Sequence, residues 1–178
     1  MNFKQLLEQE RQKLNEAFDL PFNWDWSGPR EAVFQVGDYD YLVYFKYVDN
    51  LAQVISEFRN YNMSLDGWEV SFGVLDDSEE NGFSDSVETK DYKAIRILST
   101  VVDIINSFVE RTNLNFLVFE IDTESELNRL NVYKKMLDRY LPFNFRIIHL
   151  KDKFLWLDTL VIYNDLYQED IESVLGVA

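Results

Sequence analysis

Cysteine is absent from this 178-residue chain, which excludes disulfides, thiolate metal sites and a thiol nucleophile. Histidine occurs once, at His149, with no second histidine to share a metal. An all-carboxylate site is not expected either, because Asp76-Asp77-Ser78-Glu79-Glu80 lacks the spaced ligands and the glycine of a calcium loop. Neither a Walker-type phosphate loop nor a Gly-x-Ser-x-Gly elbow is present. Basic residues are few: 17 Lys and Arg stand against 32 Asp and Glu, a formal net charge of -15. A field of that sign repels nucleic-acid phosphates and anionic membranes, so direct binding to either is not expected. No apolar run approaches the ~20 residues of a membrane span. The nearest, Ile95 to Val109, is broken by Arg96, Asp103 and Asn106. The start, Met1-Asn2-Phe3-Lys4-Gln5, leads straight into a polar amphipathic pattern, so no signal peptide is expected.

What is present is material for a core. The hydrophobic fraction is 47% and the aromatic fraction 16%, so a folded α/β (α+β) domain is expected rather than disorder. Phe3, Leu7, Leu14 and Phe18 recur at helical spacing and predict an N-terminal amphipathic helix, ended by Leu20-Pro21. Phe22 to Pro29 reads as an irregular connection in which Trp24 and Trp26 plug a core edge. Ala32–Val36 and Tyr41–Tyr47 read as strands joined at Gly37-Asp38. Leu51 to Phe58 fits a short helix or a strand equally. Trp68, Val70, Phe72 and Val74 alternate with Glu69, Ser71 and Gly73, the clearest period-two pattern in the chain. The acidic stretch 76–91 reads as a long loop.

A heavily apolar helix from Lys93 to Arg111 follows, then a mid-sheet strand, Asn115–Ile121. The next helix, capped by Thr123 or Ser125, runs to about Tyr140 and stops at Pro142. Phe143–Leu150 and Phe154–Tyr163 read as a hairpin, and the acidic tail beyond Asp165 offers Leu166, Ile171, Val174 and Leu175 as short-helix contacts. The expected division is 1–30, helix and connection; 31–163, the sheet domain; and 164–178, the tail.

Two features bear on chemistry. A strand–loop–helix junction is a natural anion site, because the first helical N–H groups are unpaired. Here the junction carries Asp76, Asp77, Glu79, Glu80, Asp85, Glu88 and Asp91, with Lys90 and Lys93 as the nearby cations. Glu69 and Glu120 sit in predicted strands and would form an acid–base pair if the sheet sets them side by side. Cations collect late in the chain, at Arg129, Lys134, Lys135, Arg139, Arg146, Lys151 and Lys153, a polarity that suits docking to a protein or to another copy.

From residue 31 the order is strand, strand, strand, helix, strand, helix, strand, strand. That order resembles the GCN5-related N-acetyltransferase (GNAT) fold, a mixed, splayed sheet flanked by helices. The wording of Trp68–Gly73, Ile97–Phe108 and Asn131–Leu137 also looks like uncharacterised GNAT-like proteins of bacteriophages. In the enzymes, a loop of the form Gln/Arg-x-x-Gly-x-Gly/Ala holds the pyrophosphate of acetyl-coenzyme A. The matching stretch here is Thr89-Lys90-Asp91-Tyr92-Lys93-Ala94, with a tyrosine at the glycine position and Ala94 last. The resemblance implies that a retained cofactor would meet Lys90, Lys93 and Ala94, and that Tyr133 would be the general acid.

With the cradle filled and acidic, the expectation is no cofactor, no metal and no catalysis. The chain is expected to be a protein–protein interaction module, a virion-associated structural or accessory protein of a phage, located in the virion or the host cytoplasm. The alternatives are an acetyl-coenzyme A-dependent N-acetyltransferase and an acidic nucleic-acid mimic that inhibits a host protein.

Overall fold

Period-two patterning decides the sheet. Ala32, Phe34 and Val36 are buried while their neighbours are not, and Tyr41, Val43 and Phe45 repeat the pattern. The computed structural model describes residues 20–50, 66–75, 83–84, 92–112, 114–122, 133–142, 144–151 and 157–175. Its strands are β1 (Trp24–Gly28), β2 (Glu31–Val36), β3 (Tyr39–Val48), β4 (Gly67–Leu75), β5 (Phe83–Ser84), β6 (Phe116–Asp122), β7 (Phe145–Lys151) and β8 (Leu157–Asn164). Its helices are α1 (Tyr92–Arg111), α2 (residues 133–140) and α3 (Gln168–Leu175), the last preceded by a 3-10 turn at Asp165–Tyr167. The fold is mixed α+β. Hydrogen bonding orders the strands β1-β2-β3-β4-β6-β8-β7, with β5 paired to β4 off that path.

Two compact units divide the chain: Met1–Val43 with Phe72–Ile105, and Tyr44–Ser71 with Asn106–Ala178. In the first, β1 pairs antiparallel with β2, with a register shift between Trp26 and Gly28. The β2–β3 turn needs Gly37, whose φ of +66° is left-handed backbone that a side chain would strain. The N-terminal half of α1 buries Ile97, Leu98, Val101 and Val102. Its polar residues form a stripe that holds the segment before β1. Arg96 donates from Nε to the Leu20 carbonyl at 2.8 Å and stacks its guanidinium 4.0 Å from the Phe22 ring centroid. Thr100 accepts from the Phe22 N–H at 2.8 Å and donates to the Arg96 carbonyl at 2.7 Å. Asp103 accepts from the Trp24 indole at 2.7 Å.

In the second unit, β4 runs parallel to β6 over Trp68↔Leu117, Glu69↔Val118 and Val70↔Phe119. β6–β8 and β7–β8 are antiparallel over seven residue pairs each. One face of this part packs Val48, Phe116, Val118, Val161 and Tyr163 under Ile171 of α3. On the other, Phe45 stacks on Phe108 with ring centroids 3.8 Å apart, and Trp68 meets Phe108 edge-on at 5.1 Å. Gly67 has no room for a side chain: a Cβ there would lie 2.8 Å from the Phe116 carbonyl oxygen.

Two expectations are corrected, and a third holds in part. Phe22–Pro29 is not irregular, because Trp24–Gly28 is an edge strand whose tryptophans alternate with Asp25 and Ser27. The sheet therefore begins before residue 31. The stretch 76–91 is not wholly loop, because Phe83 and Ser84 turn back to pair with Leu75 and Val74. The tail beyond Asp165 forms the expected short helix with Ile171 fully buried, while Leu166 points to solvent. The N-terminal helix, Leu51–Phe58, the caps Thr123 and Ser125, and Lys90 lie outside the described residues.

Candidate functional site

Strand register brings together residues that are remote in sequence. Lys46 of β3 and Glu69 of β4 form an ion pair, Nζ to Oε2, at 3.2 Å. Alternation along β6 puts Glu120 on the side of Phe116 and Val118, and Val118 is the register partner of Glu69. The three side chains interact. The Glu120 carboxyl is raised above the usual carboxylate range, first by partial burial, then by the Glu69 charge, with Lys46 opposing. The sheet thus sets Glu69, tied to a lysine, within electrostatic reach of Glu120. Such a pair can exchange protons with a bound group. Glu120 nevertheless keeps an exposed surface, and the described residues hold no group of three or more metal-binding side chains.

A second constellation was missed from sequence. His149 Nε2 lies 2.5 Å from Asp158 Oδ2 across the β7–β8 hairpin, with side chains only 16% and 11% exposed. The pair sits two rungs apart, since His149 faces Leu160 and Lys151 faces Asp158. The expected turn hid it: a hairpin centred on Asp152 sets His149 opposite Leu155, whereas the observed register sets it opposite Leu160, beside Asp158. An apolar strand with one histidine also reads as an ordinary strand.

A cleft of about 400 Å³ opens at the start of β7. Leu137, Leu141, Pro142 and Phe145 supply apolar walls, with Arg146 and Glu172 among its polar lining. Tyr163 also lines it, and its phenol is raised above the ordinary tyrosine value by burial and then by Glu172, against Arg146.

Of the residues singled out by the family resemblance, Tyr133, Lys93 and Ala94 are among those described. Tyr133 is 3% exposed and meets the Phe119 ring edge-on at 5.0 Å. Phe119 projects to the opposite face of β6 from Glu120, because adjacent strand residues alternate. Lys93 and Ala94 lie in the first turn of α1. No known protein family matches the chain, and no curated protein matches its sequence.

Proposed function

We propose that this chain is a non-catalytic protein-interaction module on a GNAT-like scaffold, of the kind found in bacteriophages, and that it serves as a virion-associated accessory protein. The scaffold reading is supported by the strand order, in which one short parallel pairing, β4 with β6, interrupts a sheet whose β1–β2, β6–β8 and β7–β8 pairings are antiparallel.

The observation that carries the non-catalytic reading is the edge of β4. The Lys46–Glu69 ion pair and the Tyr47–Trp68 ring contact at 5.3 Å fit one antiparallel register of β3 on β4. At the end of β4, β5 pairs with Val74 and Leu75. The strand leading to the expected phosphate cradle is therefore already paired there by the chain itself. Tyr133, the acid implied by the resemblance, packs in the core. These residues do not fit an acetyl-coenzyme A arm.

Isothermal titration with acetyl-coenzyme A at millimolar concentration tests the reading. No heat is expected, and saturable heat overturns it in favour of the acetyltransferase. Co-purification with phage particles at fixed copy number is the result expected for the virion role. Presence in the soluble lysate alone rejects it.

A further inference from the structure

At one end of the second unit an apolar hollow, an exposed leucine and an excess of acid come together. The hollow is the cleft of about 400 Å³ between the end of α2, the start of β7 and α3. Leu137 and Leu141 are one helical turn apart, so both present to the same side, and Pro142 and Phe145 extend their wall. The backbone under this wall is tied. The Leu141 N–H donates to the Leu137 carbonyl at 2.9 Å, and the Phe145 N–H donates to the Pro142 carbonyl at 3.0 Å. Leu166 stands on the neighbouring 3-10 turn, between Asp165 and the cleft residue Gln168. It is 84% exposed, and Asn164 fixes its backbone by accepting from its N–H at 3.1 Å. Folding leaves this side chain in water, where a partner can cover it.

Charge selects the occupant. Arg146 is the only base that lines the cleft, and it already faces Asp165 at 3.9 Å. The lining acids are Asp138 and Glu172. Among the described residues Asp138 has no ion pair. Glu172 accepts from the Gln168 amide at 2.7 Å, a neutral donor that orients the carboxylate and leaves its charge in place. That charge is felt inside the cleft, since after burial it helps to raise the Tyr163 phenol, against Arg146. Beyond the cleft, α3 adds the exposed acids Glu169 and Asp170, and no Lys or Arg occurs from Asp165 to Leu175. The α2 cations Lys134, Lys135 and Arg139 do not line the cleft, and Arg139 sits 5.2 Å from the Tyr140 ring centroid. Charges beyond about 8 Å are screened at physiological salt, so the rim carboxylates dominate what an incoming group meets. An acidic occupant is repelled there. A lysine or arginine suits both surfaces, because its methylene stem lies on apolar walls while its head reaches a carboxylate.

We propose that this cleft docks a basic segment of a partner protein. An arginine or lysine lies with its stem on Leu141, Pro142 and Phe145 and its head toward Asp138 and Glu172, while an apolar residue of the segment covers Leu166. This names the partner chemistry of the interaction module proposed above and rests on that reading.

The test uses the full-length, isotope-labelled protein and three capped probe peptides: alternating arginine and leucine, the same peptide with citrulline for arginine, and the same peptide with glutamate for arginine. Amide shifts on adding the arginine peptide should centre on Leu141, Phe145, Gln168 and Glu172. It should bind about tenfold more tightly than the citrulline peptide, and the glutamate peptide should not bind. Glu172→Gln and Asp138→Asn should each reduce the preference for arginine over citrulline. Asp25→Asn, an exposed acid of the other unit, should leave it unchanged, which separates docking from attraction to a chain of net charge -15. Leu166→Ser should weaken both peptides several-fold without altering the preference. If Glu172→Gln does not fold, Asp138→Asn decides, because that side chain is exposed and unpaired among the described residues. Equal binding of the arginine and citrulline peptides, shifts centred elsewhere, a preference that survives both cleft variants, or no shift at millimolar peptide overturns the proposal. Concentration-dependent self-association through the same amides overturns it too, by giving the cleft to a second copy. Failure here leaves the non-catalytic reading standing, because the acetyl-coenzyme A titration judges that independently.

Discussion

The two outermost strands of the sheet solve opposite problems. β1 carries a register shift between Trp26 and Gly28, and the segment leading into it is held by Arg96, Thr100 and Asp103 of α1. β7 is regular along its length, backed by apolar packing, and turns its outer backbone groups away from β8. A bulged strand is a poor template for further pairing and a regular one is a good template. The difference teaches how each outer strand is kept in place: polar contacts from a helix add to apolar packing at β1, whereas β7 has regular pairing backed by buried apolar surface.

Breaking the second unit's core should have the largest effect. Phe108→Ala removes a fully buried ring that stacks on Phe45 and should cost about 3–5 kcal/mol, read as a loss of denaturation midpoint. Gly67→Ala should cost about 1–3 kcal/mol, because the new Cβ meets the Phe116 carbonyl rather than a movable side chain. His149→Ala leaves Asp158, almost buried, without its partner, and a loss of about 1–3 kcal/mol is expected in chemical denaturation. In the first unit, Thr100→Val should cost about 1 kcal/mol and speed amide exchange at Phe22, whose N–H loses its acceptor. If Phe108→Ala and Thr100→Val proved equally damaging, the contrast drawn above would fail.

The smallest effect concerns pH. Glu120 holds its proton more tightly in the folded chain than in the unfolded one, so folding is favoured at low pH. That contribution fades as pH rises through the raised folded value. Glu120→Gln should therefore raise the melting temperature slightly near neutral pH and leave it unchanged below the ordinary carboxylate range. The shift is small because water screens the partly exposed group. An equal gain at acid and neutral pH would count against the electrostatic cause.

Much of the fold was legible because its patterns are local. The alternation from Trp68 to Val74, the apolar circumference of α1 and the hairpin at Gly37 each point to one structure. β1 was read as irregular because Ser27, Gly28 and Pro29 resemble a turn, while its pairing with β2 is a tertiary fact. β5 escaped notice because two residues carry no periodicity. The polar interruptions of α1 looked like blemishes in an apolar helix, yet Arg96 grips the segment ahead of β1 and Asp103 holds Trp24 at its start. For the site, Glu69 with Glu120 was visible only as a conditional pairing, since it needs the β4–β6 register. His149 with Asp158 needed the β7–β8 register, which the turn expected at Lys151-Asp152-Lys153 does not give.

The short β5 has a bearing on affinity. A strand tethered to its own docking edge competes at an effective concentration of order millimolar, set by the linker rather than by the solution. Any free peptide or thioester reaching for Val74 and Leu75 must outcompete that resident before gaining a single contact. The chain thus carries a standing inhibitor of one strand edge, while among the described residues no strand covers the outer edge of β7.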